Sequence, residues 1–265
     1  MNIDFTLLRS FYHISPEGAD HPSFEMPAAE FLNPDKAREA MLELGKLYRA
    51  VGMELPVSFT GMTFFNLCMT RLLANVQSDR PLRLALADLT FQLEQHNDHA
   101  HAGYRVDKLV GLEPPDDPRL RETFGRDSWI GLFRDTITPA VEAVAAAAGY
   151  KPAMIWNQFG AQIHSVRQYV HDYLGAQQPE LPELFDREFR LLESLPGEAF
   201  NRSRNPFVHI PRYIDNPWSP PDGRYILRSA CCMYDRRENG EKCYNCPNMR
   251  PDEREERRKL ALAGQ

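Results

Sequence analysis

The sequence predicts a mainly α-helical (α+β) protein, in which a helical domain is followed by a small β-ribbon and a cysteine-bearing C-terminal segment. Apolar residues recur at spacings of three and four through much of the first 195 residues, which is the period of an amphipathic helix. Prolines then crowd residues 196–223, where they exclude a long helix. With 265 residues, 43% of them hydrophobic and 26% charged, the chain can bury a sizeable core.

These changes in texture divide the chain into four segments. Residues 1–57 form an N-terminal extension and residues 58–195 a helical domain. Residues 196–250 carry the β-ribbon and the clustered cysteines, and residues 251–265 form a charged tail.

The first elements are helices. A helix is predicted over residues 35–51, with Gly52 as its stop. Residues 58–97 keep helical spacing and are interpreted as two helices. Ser78 or Asp79 caps the second, with Pro81 in its first turn. Its inward-facing residues are Leu82, Leu86, Leu89, Phe91 and Leu93.

A proline-rich break at residues 113–118 precedes the remaining helices. Asp127 is expected to cap the next one, and Pro139 to kink it or to start another that ends at Gly149. A long amphipathic segment covers residues 152–174, and a further helix covers residues 183–195.

The ribbon is predicted from two short β-like pieces, residues 207–210 and 225–228. The Asp222-Gly223 pair indicates a turn just before the second piece. Residues 251–259 are almost wholly charged, which is typical of a solvated terminal helix or a frayed end.

The net charge of −6 gives no general attraction for nucleic acid or for an anionic membrane surface. No run approaches the roughly 18 apolar residues that an integral membrane segment needs. The first ten residues lack the basic and apolar regions of a signal peptide. We therefore expect a cytoplasmic protein whose thiols are reduced.

Four of the five cysteines fall within sixteen positions near the C-terminus. They are Cys231, Cys232, Cys243 and Cys246. The fifth, Cys68, lies on the apolar face of a predicted helix and is interpreted as a small buried hydrophobe. In a reducing compartment, four gathered soft ligands indicate a metal centre rather than a disulfide framework.

The spacing favours a two-iron cluster over a single zinc ion without deciding between them. Cys243 and Cys246 form a Cys-x-x-Cys turn, in which two thiolates can point at one metal centre. Structural zinc sites usually take two such turns, whereas Cys231 and Cys232 are adjacent and project in opposing directions from extended chain. A two-iron cluster offers separate positions for two thiolates on each iron. A zinc site and a labile disulfide stay open as alternatives.

The array Cys231-Cys232-x10-Cys243-x2-Cys246 resembles the C-terminal signature of the FhuF-like ferric-siderophore reductases. Arg228 and Tyr234 resemble the same local pattern. The likeness is looser from about residue 151 onward, where Met154-Ile155-Trp156-Asn157 resembles the opening of a family helix.

The resemblance implies a 2Fe–2S cluster with these four cysteines as ligands. We expect residues 58–195 to be the helical substrate-binding domain. It also implies one-electron reduction of a ferric siderophore, hydroxamate types being the expected substrates, with release of Fe(II) in the cytoplasm for iron homeostasis.

Candidate substrate contacts come from a basic segment and from one helix. Residues 202–237 hold seven arginines and three acids, a net +4, so the rest of the chain carries −10. This positive field would raise the cluster potential and attract an anionic partner. Arg224 and Arg228, four apart on one face of a predicted strand, are the preferred candidates. Trp156 and Asn157 are further candidates, although Trp156 also fits the apolar stripe of its helix.

His96, His99 and His101 are interpreted as an exposed helix end, and their role stays open. The sequence has no Gly-rich dinucleotide loop, so we expect an external electron donor such as a ferredoxin or a flavin reductase.

Two other functions compete with a reductase. One is a structural or binding protein stabilised by zinc, which would be colourless. The other is an iron–sulfur electron carrier without a siderophore site.

Overall fold

The computed structural model describes residues 3–78, 80–96, 99–219 and 223–264. Helices account for 53% of the residues and strands for 13%, which confirms the mainly α (α+β) class. Within the described ranges, no helix is both long and apolar enough to cross a bilayer.

The N-terminal part alternates helices and short strands. Its elements are α1 (Thr6–Tyr12), β1 (Ile14–Ser15), β2 (Phe24–Pro27), a 3-10 turn (Ala28–Leu32) and α2 (Pro34–Tyr48). The side chain of Asn33 caps α2 by accepting a hydrogen bond from the amide of Asp35. Arg49, with φ of 51° in the left-handed region, ends α2, so the helix stops before the predicted Gly52.

The next stretch holds one helix and then strands. It comprises α3 (Glu54–Ser78), β3 (Leu82–Arg83), a 3-10 turn (Leu86–Asp88), β4 (Leu89–His96), β5 (His99–Val106) and β6 (Val110–Gly111). The first predicted helix is confirmed as α3, but the second, starting near Ser78 or Asp79, is wrong; Asp79 itself lies outside the described residues. Leu89, Phe91 and Leu93 are buried on alternate positions of β4, which is the period of a strand.

A four-stranded sheet in the order β1-β5-β4-β2 joins the N-terminal residues to this region. β4 pairs antiparallel with both β2 and β5, while β1 pairs parallel with β5. A Cβ on Gly103 would lie 1.9 Å from the carbonyl oxygen of His13, so the close approach of β1 requires glycine. His96 at the end of β4 is paired in register with His99 at the start of β5, so these residues lie on strands and the expected helix end is wrong.

The remaining helices follow in sequence order. They are α4 (Pro118–Leu132), a π-helical turn (Phe133–Ile137), α5 (Thr138–Ala147), α6 (Ala153–Trp156), α7 (Phe159–Tyr169), a second π-helical turn (Val170–Leu174) and α8 (Leu181–Glu193). The side chain of Asp117 caps α4, so the expected start at Asp127 is wrong. Pro139 lies in the first turn of α5, which agrees with a new helix beginning there.

One hydrophobic core joins the N-terminal elements, α3 and the later helices. Trp156, 1% exposed, lies in an aromatic cluster with Phe133, Phe159 and Phe200, at centroid distances of 5.1 to 6.4 Å. Cys68 is fully buried on α3, and burial raises the pKa of its thiol, as expected for a packing residue.

The predicted ribbon is present, but its first strand lies further along the chain. β7 (Tyr213–Asp215) pairs antiparallel with β8 (Arg224–Ile226). Residues 207–210, the predicted first strand, do not form a strand. Phe207 packs in the core, and Val208 and Ile210 are exposed. Asp222 of the predicted turn lies outside the described residues. The charged tail forms α9 (Pro251–Ala263).

Candidate metal centre

The four clustered cysteines lie on an irregular loop, residues 227–250, between β8 and α9. The amide of Cys246 donates to the carbonyl of Cys243 at 2.9 Å, which closes the Cys-x-x-Cys turn. Asn245 lies inside this turn. Its carbonyl accepts from the amide of Arg228 at 3.0 Å, and its side-chain amide donates to the carbonyl of Ile226 at 3.1 Å. These bonds place the turn beside the end of β8, next to the first two cysteines.

The four sulfurs form two pairs. The Sγ atoms of Cys231 and Cys246 are 3.7 Å apart, and the thiols of Cys232 and Cys243 are hydrogen-bonded to each other. Two thiolates on one tetrahedral metal ion, with bonds of about 2.3 Å, lie about 3.8 Å apart. The Cys231–Cys246 pair is therefore spaced to share one ion.

The arrangement of the sulfurs bears on the kind of metal centre. A structural zinc site takes four ligands around one ion. Two separate pairs fit a two-iron cluster, in which each iron takes two thiolates.

Each pair combines one buried cysteine with one that is partly exposed. Cys232 and Cys246 are 5% and 1% exposed, whereas Cys231 and Cys243 are only half-buried. A group held by the four sulfurs would therefore have one side in the protein and one side near solvent.

The charges around Cys232 favour its thiolate. The hydrogen bond from the Cys243 thiol and the positive charge of Arg228 lower the pKa of Cys232 to about 6. The same hydrogen bond raises the pKa of Cys243, and burial raises the pKa of Cys231 to about 12. A metal centre bound by these four sulfurs would require thiolates, so its binding would displace these protons.

The surroundings of Arg228 indicate that an anionic group can bind at the cysteines. Its Nε is buried and has no hydrogen-bond partner among the described protein groups, while its charge acts on Cys232 and Cys243. A buried, unpaired guanidinium nitrogen is costly. A cluster with thiolate and sulfide ligands would supply an acceptor here, so the residues present fit such a group.

Helix α3 and the start of α7 hold the chain at Ser229 and Cys232. The hydroxyl of Ser58 on α3 donates to the carbonyl of Cys232 at 2.8 Å, and Gln158 Nε2 donates to that hydroxyl at 2.9 Å. The amide of Ala161, in the first turn of α7, donates to Ser229 Oγ at 3.1 Å. This bond satisfies one of the amides that a helix start leaves free.

The part of the loop between Cys232 and Cys243 is held by the residues that follow α2. Ala50 forms a β-bridge with Arg237, the amide of Val51 donates to the Arg236 carbonyl at 3.1 Å, and the Glu238 amide donates to the Arg49 carbonyl at 2.9 Å. The first 57 residues thus contribute directly to the position of the cysteine loop.

The sequence-predicted substrate residues lie in different environments. Arg224 is exposed on β8, and Arg228 lies at the cysteines. Trp156 is in the core, whereas Asn157 is exposed and its Oδ1 accepts from Arg202 Nη2 at 3.0 Å.

Sequence reasoning missed one exposed aromatic side chain beside the Cys-x-x-Cys turn, because no motif includes it. Trp218 is 57% exposed, and its ring lies 5.3 Å from that of Tyr244 and 6.4 Å from that of Tyr225. Tyr244 lies between Cys243 and Cys246, so Trp218 and Tyr225 lie on the surface next to the Cys-x-x-Cys turn.

Comparison with known families identifies the cysteine loop. Residues 228–247 match the family model of the FhuF 2Fe-2S C-terminal domain. The match includes all four clustered cysteines, which fit its motif, and confirms the resemblance. The cofactor of this FhuF-type segment is a 2Fe–2S cluster, so the chain is an iron–sulfur protein and the zinc alternative is wrong. No curated protein matches the chain.

A groove of about 920 Å³ lies far from the FhuF-type segment. The groove is lined by the end of α3, including Asn75 and Ser78, and by residues of α4 and α8. Asn75 follows Ser58 by 17 residues on the same helix, which corresponds to about 26 Å at the helical rise. Because Ser58 contacts Cys232, this groove is remote from the cysteines.

Proposed function

We propose that this protein is a ferric-siderophore reductase, which delivers one electron to siderophore-bound Fe(III) so that Fe(II) is released. The observation that carries the proposal is the match of residues 228–247 to the FhuF 2Fe-2S C-terminal domain. Siderophores hold Fe(III) with hard oxygen donors and hold Fe(II) far more weakly, so a single electron loosens the metal without breaking the ligand.

We assign the ligands as two pairs. Cys231 and Cys246 would hold one iron, and Cys232 and Cys243 the other; the sulfur pairing described above supports this assignment. When bound, the cluster supplies a single transferable electron. The positive charge of Arg228 acts on Cys232 and Cys243 and would stabilise negative charge there.

The ferric siderophore binds on the solvent side of the FhuF-type segment, where Cys231 and Cys243 are half-exposed. Arg224, Trp218 and Tyr225 provide an exposed cationic and aromatic surface there. An aromatic face packs against the apolar backbone of a chelate, and an arginine attracts its anionic groups. Trp156 is left out of this surface because its ring is 1% exposed.

The electron comes from an external donor such as a ferredoxin or a flavin reductase, and the reaction takes place in the reducing cytoplasm. The net +4 of residues 202–237 supports docking of an acidic protein. The substrates are hydroxamate siderophores, in keeping with the resemblance.

A single-turnover experiment tests the proposal. The protein is reduced anaerobically and mixed with a ferric hydroxamate siderophore, and its electron paramagnetic resonance signal is followed while an Fe(II) chelator traps the product. We expect loss of the signal and one Fe(II) per electron. The gallium complex, which has the same shape and charge but is not reduced, should leave the signal unchanged.

A carrier without a siderophore site gives the opposite result: small one-electron acceptors oxidise it, and ferric siderophores do not. Arg224→Gln should raise the half-saturating siderophore concentration about 5-fold, as for one exposed charge contact of about 1 kcal/mol. Arg187→Gln, in the remote groove, removes the same charge and should have no effect.

A further inference from the structure

The charged C-terminal helix lies against the Cys-x-x-Cys turn through one arginine. Arg254, in the first turn of α9, donates from Nε to the carbonyl of Tyr244 at 3.1 Å. Its Nη2 donates to the carbonyl of Cys246 at 2.8 Å and, more weakly, to that of Met249 at 3.5 Å. One guanidinium therefore joins three carbonyls of the segment that carries the last two cysteines.

A second arginine of α9 holds the residues just before this turn. Arg257 Nη1 donates to the carbonyl of Lys242 at 2.6 Å, and its Nη2 lies 3.3 Å from the carboxylate of Glu241. Lys242 in turn lies 4.0 Å from Glu253 of α9. The helix thus contacts the loop on both sides of Cys243.

An irregular turn needs such contacts. Buried carbonyls outside helices and sheets must find donors elsewhere, and the planar fork of arginine can serve several acceptors at once. Lysine carries the same charge but lacks this fixed fork.

We propose that α9 is a clamp on the FhuF-type segment and that Arg254 is the positioning residue that fixes Cys246 and tunes the cluster. The inference rests on the proposed ligand assignment. It concerns residues beyond the matched range, 228–247. Because the positive charge of Arg254 lies at the carbonyl of a ligand, it favours the more negative, reduced form of the cluster and raises its reduction potential.

The same helix offers a matched control. Arg258 has its Nε and Nη2 bonded to Glu255 at 2.7 and 2.9 Å, within α9. Arg258→Gln removes one positive charge from the same helix and leaves the carbonyl contacts of Arg254 in place.

The test compares Arg254→Gln, Arg254→Lys and Arg258→Gln in the full-length, cluster-loaded protein. The readouts are iron release to a chelator, the midpoint potential and far-UV circular dichroism of the helical body. For Arg254→Gln we expect iron release about 10- to 100-fold faster, as for loss of an outer-shell partner of a metal ligand, and a lower potential. Arg254→Lys should keep most of the potential but still release iron faster than the wild type. Arg258→Gln should match the wild type in iron release, and its potential should lie closer to the wild type than that of Arg254→Gln.

Equal iron release and equal potential for Arg254→Gln and Arg258→Gln would overturn the proposal that α9 acts as a clamp through Arg254. Wild-type retention by Arg254→Lys would overturn the role of the guanidinium fork. If Arg254→Gln takes up no cluster while Arg254→Lys and Arg258→Gln do, the inference is supported. A wild-type protein without iron and sulfide is a different failure, because it removes the proposed function itself.

Discussion

Replacing Ser58 by alanine removes the hydroxyl through which α3 holds the backbone of Cys232. Ser58 is fully buried and Cys232 is 5% exposed, so the carbonyl of Cys232 loses this donor in a site from which water is largely excluded. Gln158 keeps a second acceptor, the carbonyl of Met154 at 3.2 Å, and contributes little to the cost. Leaving one buried acceptor unsatisfied costs about 1–3 kcal/mol. A central value of about 2 kcal/mol raises the equilibrium constant for local opening about 30-fold.

Hydrogen exchange of the amides in residues 230–234, measured on the cluster-loaded protein, reports this local opening directly. Ser165→Ala is the control, because that exposed hydroxyl of α7 donates to the carbonyl of Ala161, at 3.2 Å. Its effect should stay within about 0.5 kcal/mol. Equal exchange in the two variants would refute the idea that Ser58 secures Cys232.

Three further changes test the site and the core. Cys232→Ser should lower iron and acid-labile sulfide content while the far-UV circular dichroism of the helical body stays unchanged. Trp156→Ala should destabilise the protein by about 3–5 kcal/mol in thermal or denaturant unfolding, as for a large buried aromatic, whereas Trp156→Phe should leave siderophore-dependent oxidation unchanged. The hydrogen bond from Arg167 lowers the pKa of Asp186 below its ordinary 3.8. Its stabilisation is therefore present above pH 3.8 and is lost as the pH falls through the lower folded-state pKa. The stability difference between the wild type and Asp186→Asn, followed by circular dichroism, should shrink over that range.

Helical periodicity was sufficient where a segment packs along one continuous face, as in α2, α3, α7 and α8. It failed at residues 82–96 because Leu82, Leu86, Leu89 and Leu93 recur at helical spacing, while Leu89, Phe91 and Leu93 also alternate as in a strand. Pairing of β4 with β2 and β5 decides between the two. β5 follows β4 directly, but β2 lies far from β4 in the sequence, so a local window could not identify β2 as a partner.

The cysteines could be found from the sequence because thiolate chemistry depends on residue type and spacing. Their pairing could not, since adjacent Cys231 and Cys232 belong to different pairs. The role of Arg254 was also hidden, because its acceptors are backbone carbonyls that every residue possesses. A run of charges near a terminus indicates solvation unless the fold brings carbonyls to it.

Contacts from outside the cysteine loop, residues 227–250, help to hold the loop in place. Residues 227–250 form no helix or extended strand, apart from the bridge at Arg237, among the residues that the structure describes. Ordering such a loop costs about 1–2 kcal/mol of backbone entropy per residue, which bonds within the loop and contacts from outside it together offset. The outside contacts come from residues 49–51, from Ser58, from the start of α7 and from α9. A metal site needs ligands held close to their bound geometry. The geometry at the cysteines therefore depends on the folding of nearly the whole chain, and substitutions far from them in sequence should alter cluster retention before they alter the helical content.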